Sequence, residues 1–552
     1  MSNTVNSTAL STRVRRARLT GRVWGKVACG VGLSVLLGLL LLWPLARVLT
    51  YPTLSQWAYV LKTERWAEAL WHSIVMAALV GVSATVLGFA YAYAAVRVKV
   101  FGRGLLHFLA LLPILAPPFV VSISYILLFG RNGLITNKLL DITLNIYGWK
   151  GLWLVETVTF FPLAYLTLAN VLRSIPGNLE QAASNMGASK IRVFWDVTLP
   201  LSKPGLTAAL LLVGISVLAD FGNPVIIAGD YSVLPTLAYM KITGWYDLAA
   251  AAVLASLLLV PTIALFAFQR MWLGKRSYVT ISGKVSAQAH PAPPRWLSIM
   301  TTILAYAAGF AIVAVYGILA YGAFSRAWGF DYSPTLRNFV TLARRMPALI
   351  HTMEYSFAAA ILSVVLATIV AYLVSRRRLP VPAAFDFVST VPGAVPGIIL
   401  GLGYVVAFNS EPLRLTGTPL IIILALALWN LPTAYRYVSA SLAQLSAELE
   451  NAAANMGANP TRSVLDVTVP LLGGALLSGG TVTFLRNVTC LSVVIFLVTP
   501  RTTMATTDIL ALVDGGEWGI AAALSFVLLA IALMLLSLGV GILKRMGQGL
   551  EL

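Results

Sequence analysis

"LEQAASNMGASKIRVFWDVTLPLSKPGL", residues 179–206, is a polar, helix-forming stretch between two long apolar runs. It returns 270 positions later as "LENAAANMGANPTRSVLDVTVPLLGGAL", residues 449–476. In the first copy, Asn178 and Gln181 have the spacing of a capping box, and good helix formers follow. Gly187 then offers the left-handed position that ends a helix, and a second short helix runs on to Pro200. Ala452, Ala453, Met456, Gly457, Asp466 and Pro470 repeat the pattern. Each copy reads as a rigid knob with a glycine elbow. A helix lying on the bilayer needs only an amphipathic pattern, so it would not account for the same elbow, Asp and Pro written twice.

The surroundings of the knobs are membrane-like. Of 552 residues, 59% are hydrophobic and only 11% charged, with a mean hydropathy of +0.84. Apolar runs long enough to cross a hydrocarbon core of roughly 30 Å recur throughout. Twelve helices are predicted, at 27–49, 69–96, 105–129, 151–172, 205–228 and 247–269, then 297–324, 349–375, 385–408, 418–435, 471–498 and 518–543. The run from Val27 is too long for a signal core, so it reads as a retained first span behind a basic tail.

A net charge of +19 could suggest nucleic acid. The charges instead sit at the ends of apolar runs, without the interleaved aromatics of a nucleic-acid surface, so no nucleic-acid partner is expected. With the N-terminus inside, Lys and Arg collect in the inner loops, which places both termini in the cytoplasm. The outer loop with Arg326, Arg337, Arg344 and Arg345 runs against that bias. Cys29 and Cys490 lie in separate apolar runs and exclude a disulfide framework.

The halves repeat beyond the knobs. "ALWHS" at 69–73 matches "ALIHT" at 348–352, and Pro113 and Pro117 match Pro392 and Pro396 at the same displacement of 279. Six spans per half make this a parallel repeat. The expected organisation is a first half over 1–270 with its loop at 177–203, a basic, Pro-rich linker over 271–296, and a second half over 297–552 with its loop at 447–473.

The two loops resemble the "EAA…G" cytoplasmic loop of ABC importer permeases, and two further stretches, 217–247 and 487–519, look like fused permeases for ferric iron. The resemblance implies an all-α membrane protein of the type I importer fold in the bacterial inner membrane. It implies coupling of both loops to a homodimeric ATPase, with a periplasmic solute-binding protein outside. Glu180, Gln181, Ala182, Ala183 and Gly187, and Glu450, Asn451, Ala452, Ala453 and Gly457, would make those contacts. The family's Glu position holds Gln181 and Asn451, amides that keep hydrogen bonding and lose the charge. Related permeases handle aminoethylphosphonate, other phosphorylated solutes, thiamine or polyamines.

No G-x-x-x-x-G-K-[ST] loop occurs, so ATP and Mg are expected on the partner ATPase, with no cofactor on this chain. The residues show no metal-ligand cluster and no catalytic group, so a non-enzymatic subunit is expected. A gradient-driven transporter is the rival class; it would use Glu156, Asp220, Glu354 or Asp386 and would not need two knobs. A membrane scaffold would need no polar pathway. Asp220, before a Gly-Asn-Pro break in the fifth span, and Arg486, in the middle of the eleventh, are costly charges in lipid. They read as an ion pair or as lining for a route, with Asn223 and Asn487 adding polar contacts.

Overall fold

A backbone in lipid has no water to bond, so the spanning solution for this chain is helix, and small residues let its helices approach closely. A computed structural model of the chain describes residues 30–63, 65–98, 100–274, 290–376, 379 and 381–546. The start of the expected first span at 27–29, Cys29, the basic tail, most of the linker (275–289) and residues 547–552 lie outside the described residues.

Each half is organised around three helices. In the first these are α1 (Trp66–Arg97), α2 (Trp149–Ser174) and α3 (Lys190–Ala219); in the second they are α4 (Met346–Ser375), α5 (Pro419–Gln444) and α6 (Gly473–Val488). Within each trio every helix packs on the other two. A Cβ on Gly88 of α1 would come within 2.7 Å of the Cβ of Ala164 on α2, so only glycine permits that approach.

Among the described residues nine unbroken helices are long and apolar enough to cross a membrane, or twelve if each of three bent pairs counts as one span. The bent pairs correct the straight spans expected at 105–129 and 385–408. Helices Arg103–Leu115 and Val120–Leu139 meet at 105°, and Pro382–Ala394 and Gly397–Ala407 at 108°. Ala116 and Val395, just before Pro117 and Pro396, are extended, with ψ of 153° and 121°. A proline pushes its predecessor out of the helical region, and the helix stops there.

The fifth and eleventh spans are also interrupted. Helix α3 ends at Ala219 and a short helix, Gly222–Ile227, restarts beyond Asp220. Helix α6 follows Pro460–Leu471 at 68° and ends at Val488, ten residues short of the expected 498. Arg486 is therefore in the last turn of its helix, not in the middle.

The first helix of each half lies on the other half. Leu33, Leu37 and Leu41 of Gly30–Thr50 sit in the core of the second half. A π turn at Gly38–Leu42 loosens the local bonding, and the Leu40 carbonyl accepts the Tyr404 hydroxyl at 2.7 Å. Reciprocally, helix Arg295–Ala323 packs on α1 and on both arms of the first bent pair.

Candidate functional site

Both knobs are built as the repeat predicts, and more alike than it required. Helix Gly177–Asn185 ends at Gly187 with φ of +85°, and Glu448–Asn455 ends at Gly457 with φ of +90°. Ala188 N–H bonds the Ala183 carbonyl at 3.1 Å and Ala458 N–H the Ala453 carbonyl at 3.0 Å, the 6→1 closure of a glycine-terminated helix. The next helix is capped in each case, by the Ser189 hydroxyl accepting from Arg192 N–H and by the Asn459 carbonyl oxygen from Arg462 N–H. The capping box expected from Asn178 is not formed. The helix already begins at Gly177, behind Pro176, which places Asn178 inside the first turn.

The knobs are tied to the helix bundles through Glu180 and Glu450. Arg97, at the end of α1, donates to Glu180 at 3.0 Å, and the two side chains are only 4% and 5% exposed. Thr198 donates to the other carboxylate oxygen at 2.8 Å. In the second half Arg376, just past α4, donates to Glu450 at 2.8 Å, Tyr372 at 2.9 Å and Thr468 at 3.3 Å. Each Thr closes a single π turn, Phe194–Thr198 or Val464–Thr468, that turns its hydroxyl inward while Asp196 and Asp466 face out. An ion pair this buried holds only when further hydrogen bonds satisfy its oxygens, and here they do.

Apolar side chains are exposed on both knobs beside polar ones. Leu179, Met186, Ile191 and Trp195 are exposed on the first, and Leu449, Met456 and Leu465 on the second. Ala182, Ala452 and Asn451 are also exposed, Gln181 and Ala183 half-buried, and Ala453 buried.

The four polar residues of the broken spans separate into two kinds. Asn223 is buried and joins three helices: it accepts from Ser122 at 2.8 Å, donates to Asp220 at 2.8 Å and reaches Thr159 at 3.5 Å. Asn487 is buried likewise, accepting from Asn430 and donating to the Ser356 carbonyl at 3.3 Å. Asp220 also accepts the backbone N–H of Gly222 at 3.1 Å and so caps the restart of the helix. Arg486 is exposed, with its guanidinium 5.6 Å from the centre of the Trp429 ring. No ion pair joins Asp220 to Arg486 among the described residues.

Residues 84–277, which include the first knob, match the family described as binding-protein-dependent transport system inner membrane component. The ferric transport system permease protein FbpB of Actinobacillus pleuropneumoniae is 34% identical over 84% of this chain and 69% of its own. The chain belongs to this family of ABC importer permeases. A Haemophilus influenzae relative, also named for a ferric transport system, is 33% identical over 78% of this chain and 70% of its own. The molybdenum transport system permease protein ModB of Escherichia coli is 31% identical over 33% of this chain and 82% of its own. A permease of this family is a multi-pass membrane subunit that works with an ATPase and a periplasmic binding protein.

Two of the four acids that a gradient-driven transporter would use stand together, and two stand apart. Glu156 and Asp220 line one small cavity in the first half with Ser73 and Met76. Glu354 is exposed, and Asp386 is paired with Arg270 at 3.1 Å and accepts from Tyr435 at 2.8 Å. Sequence reading missed Arg97, Arg376, Thr198, Thr468 and Tyr372. The signal was present in the repeat, since Arg97 and Arg376 are 279 positions apart, as are Tyr93 and Tyr372, and each Thr follows a repeated Asp-Val.

Proposed function

We propose that this permease passes ferric iron from a periplasmic binding protein into the cytoplasm, driven by a homodimeric ATPase that seats one subunit on each knob. The observation that carries the reading is the duplication of a built joint: same elbow, same Glu–Arg–Thr anchor, same exposed Leu and Met side chains. Two equivalent knobs fit a partner with two equivalent sockets, and a gradient-driven transporter has no use for them. ATP and Mg belong to that partner.

Ferric iron is the cargo named for two relatives that are more than 30% identical over most of this chain. We place twelve crossings in two parallel halves, 1–270 and 297–552, joined at 271–296, with both termini and both knobs in the cytoplasm of a bacterium. Asp220 and Arg486 lie along the route, and Asn223 and Asn487 hold the helix ends that carry them.

Reconstitution in vesicles tests the reading. ATP-dependent uptake of labelled ferric iron should require the ATPase and the binding protein, and should not yield to molybdate or aminoethylphosphonate. Uptake driven by an ion gradient without any ATPase would overturn it.

A further inference from the structure

Among the described residues, the two anchors draw one of their contacts from different places. On Glu450, the third donor is Tyr372, from α4 of the same half. Tyr93 stands at the matching place on α1, but its hydroxyl makes no hydrogen bond to Glu180 among the described residues; its ring meets Phe194 edge-on at 5.7 Å. The missing contact is made instead by His290, whose Nδ1 lies 3.0 Å from Glu180 Oε2, the oxygen that Arg97 also holds.

His290 belongs to the segment between the halves. The sequence after it, "PAPPR" at 291–295, is stiffened by proline and runs directly into helix Arg295–Ala323. Pro291, Pro293 and Pro294 line a small pocket together with Arg97, Glu180 and Lys190. No linker residue reaches the anchor of the second knob among the described residues. The carboxylate accepts, so Nδ1 carries the proton in this contact.

We propose that His290 is a positioning residue that clamps the first knob to the start of the second half, so that the two knobs are held unequally. The clamp is a geometric statement about Glu180; its effect on coupling rests on the reading of the knobs as ATPase seats. A rigid proline segment passes movement of the first knob to helix Arg295–Ala323, which already lies on α1. Among the described residues no linker residue makes such a lever for the second knob.

Amide hydrogen exchange on the full chain, with its ATPase bound and free, tests this. His290→Ala should raise opening over residues 177–199 by about five-fold, the loss of one net hydrogen bond, and leave 448–469 unchanged. His290→Asn, whose amide sits where Nδ1 does, should restore protection. Tyr372→Phe should give the opposite pattern, loosening 448–469 alone. Unchanged exchange at 177–199 in His290→Ala, or an equal rise at both knobs, overturns the clamp. If 177–199 loosens while ATPase retention and iron moved per ATP stay at the wild-type ratio, the clamp stands and the coupling reading falls. A fall in that ratio of two-fold or more, restored by His290→Asn, supports both.

Discussion

Arg97 and Glu180 stand 83 positions apart in sequence and meet at 3.0 Å, almost wholly buried, where the end of α1 reaches the first knob. Removing one partner strands the other charge. Glu180→Ala should therefore cost about 3 kcal/mol or more, whereas Arg97→Met with Glu180→Met should cost less, because no lone charge remains. Thermal melts of the detergent-solubilised chain check the order. A double variant less stable than either single one would remove the pair as the anchor.

The glycine elbows give a sharper contrast. A Cβ at Gly187 or Gly457 would meet nothing within 4 Å, so space is not the constraint; the left-handed φ is. A side chain there costs roughly 1–2 kcal/mol, and a β-branched one more. Gly187→Val or Gly457→Val should leave the chain in the membrane but release ATPase and abolish uptake, while Gly→Asn should be tolerated. Wild-type uptake with both valines present contradicts the role given to the elbows.

Orientation is open to direct labelling. Cysteines placed at Ser189 and Asn459, both exposed at the helix starts after the elbows, should react with a membrane-impermeant reagent only from the cytoplasmic side. Reaction from outside intact cells would invert the proposed topology.

Arg486 and Asp220 make no mutual contact, so swapping them has no structural logic. We expect Arg486→Gln to assemble normally and reduce iron uptake by about ten-fold or more, since an exposed cation in a membrane-embedded helix faces a partner or a wet cavity. Asp220→Asn should weaken the helix restart as well as uptake. The exchange Asp220→Arg with Arg486→Asp should restore neither, and recovery of transport by that double variant would reinstate an ion pair. Normal uptake in both neutral variants removes the two residues from the route.

The elbows were legible because a left-handed residue has a one-letter signature, and the repeat printed it twice. The anchors were not, since Arg97 and Arg376 reach their glutamates from helices 83 and 74 positions away, beyond any local spacing rule. The prolines marked where the third and ninth elements bend but carried no angle. The end of α6 was hidden for another reason. "CLSVVIFLVTP" at 490–500 is as apolar as a helix, yet it runs as turns, with Thr506 donating to the Cys490 carbonyl. Hydropathy reports burial and says nothing of the backbone path.

The reciprocal placement of the first helices sets a rule for how the halves can part. Gly30–Thr50 is bonded through Leu40 to Tyr404 and travels with the second half, although its chain continues into the first. Any rocking of the halves must then be absorbed where that helix hands over to α1, across the turn at 51–53 and the short helix Leu54–Thr63. A stiff insertion there would act as a brake on the cycle while touching neither knob nor route.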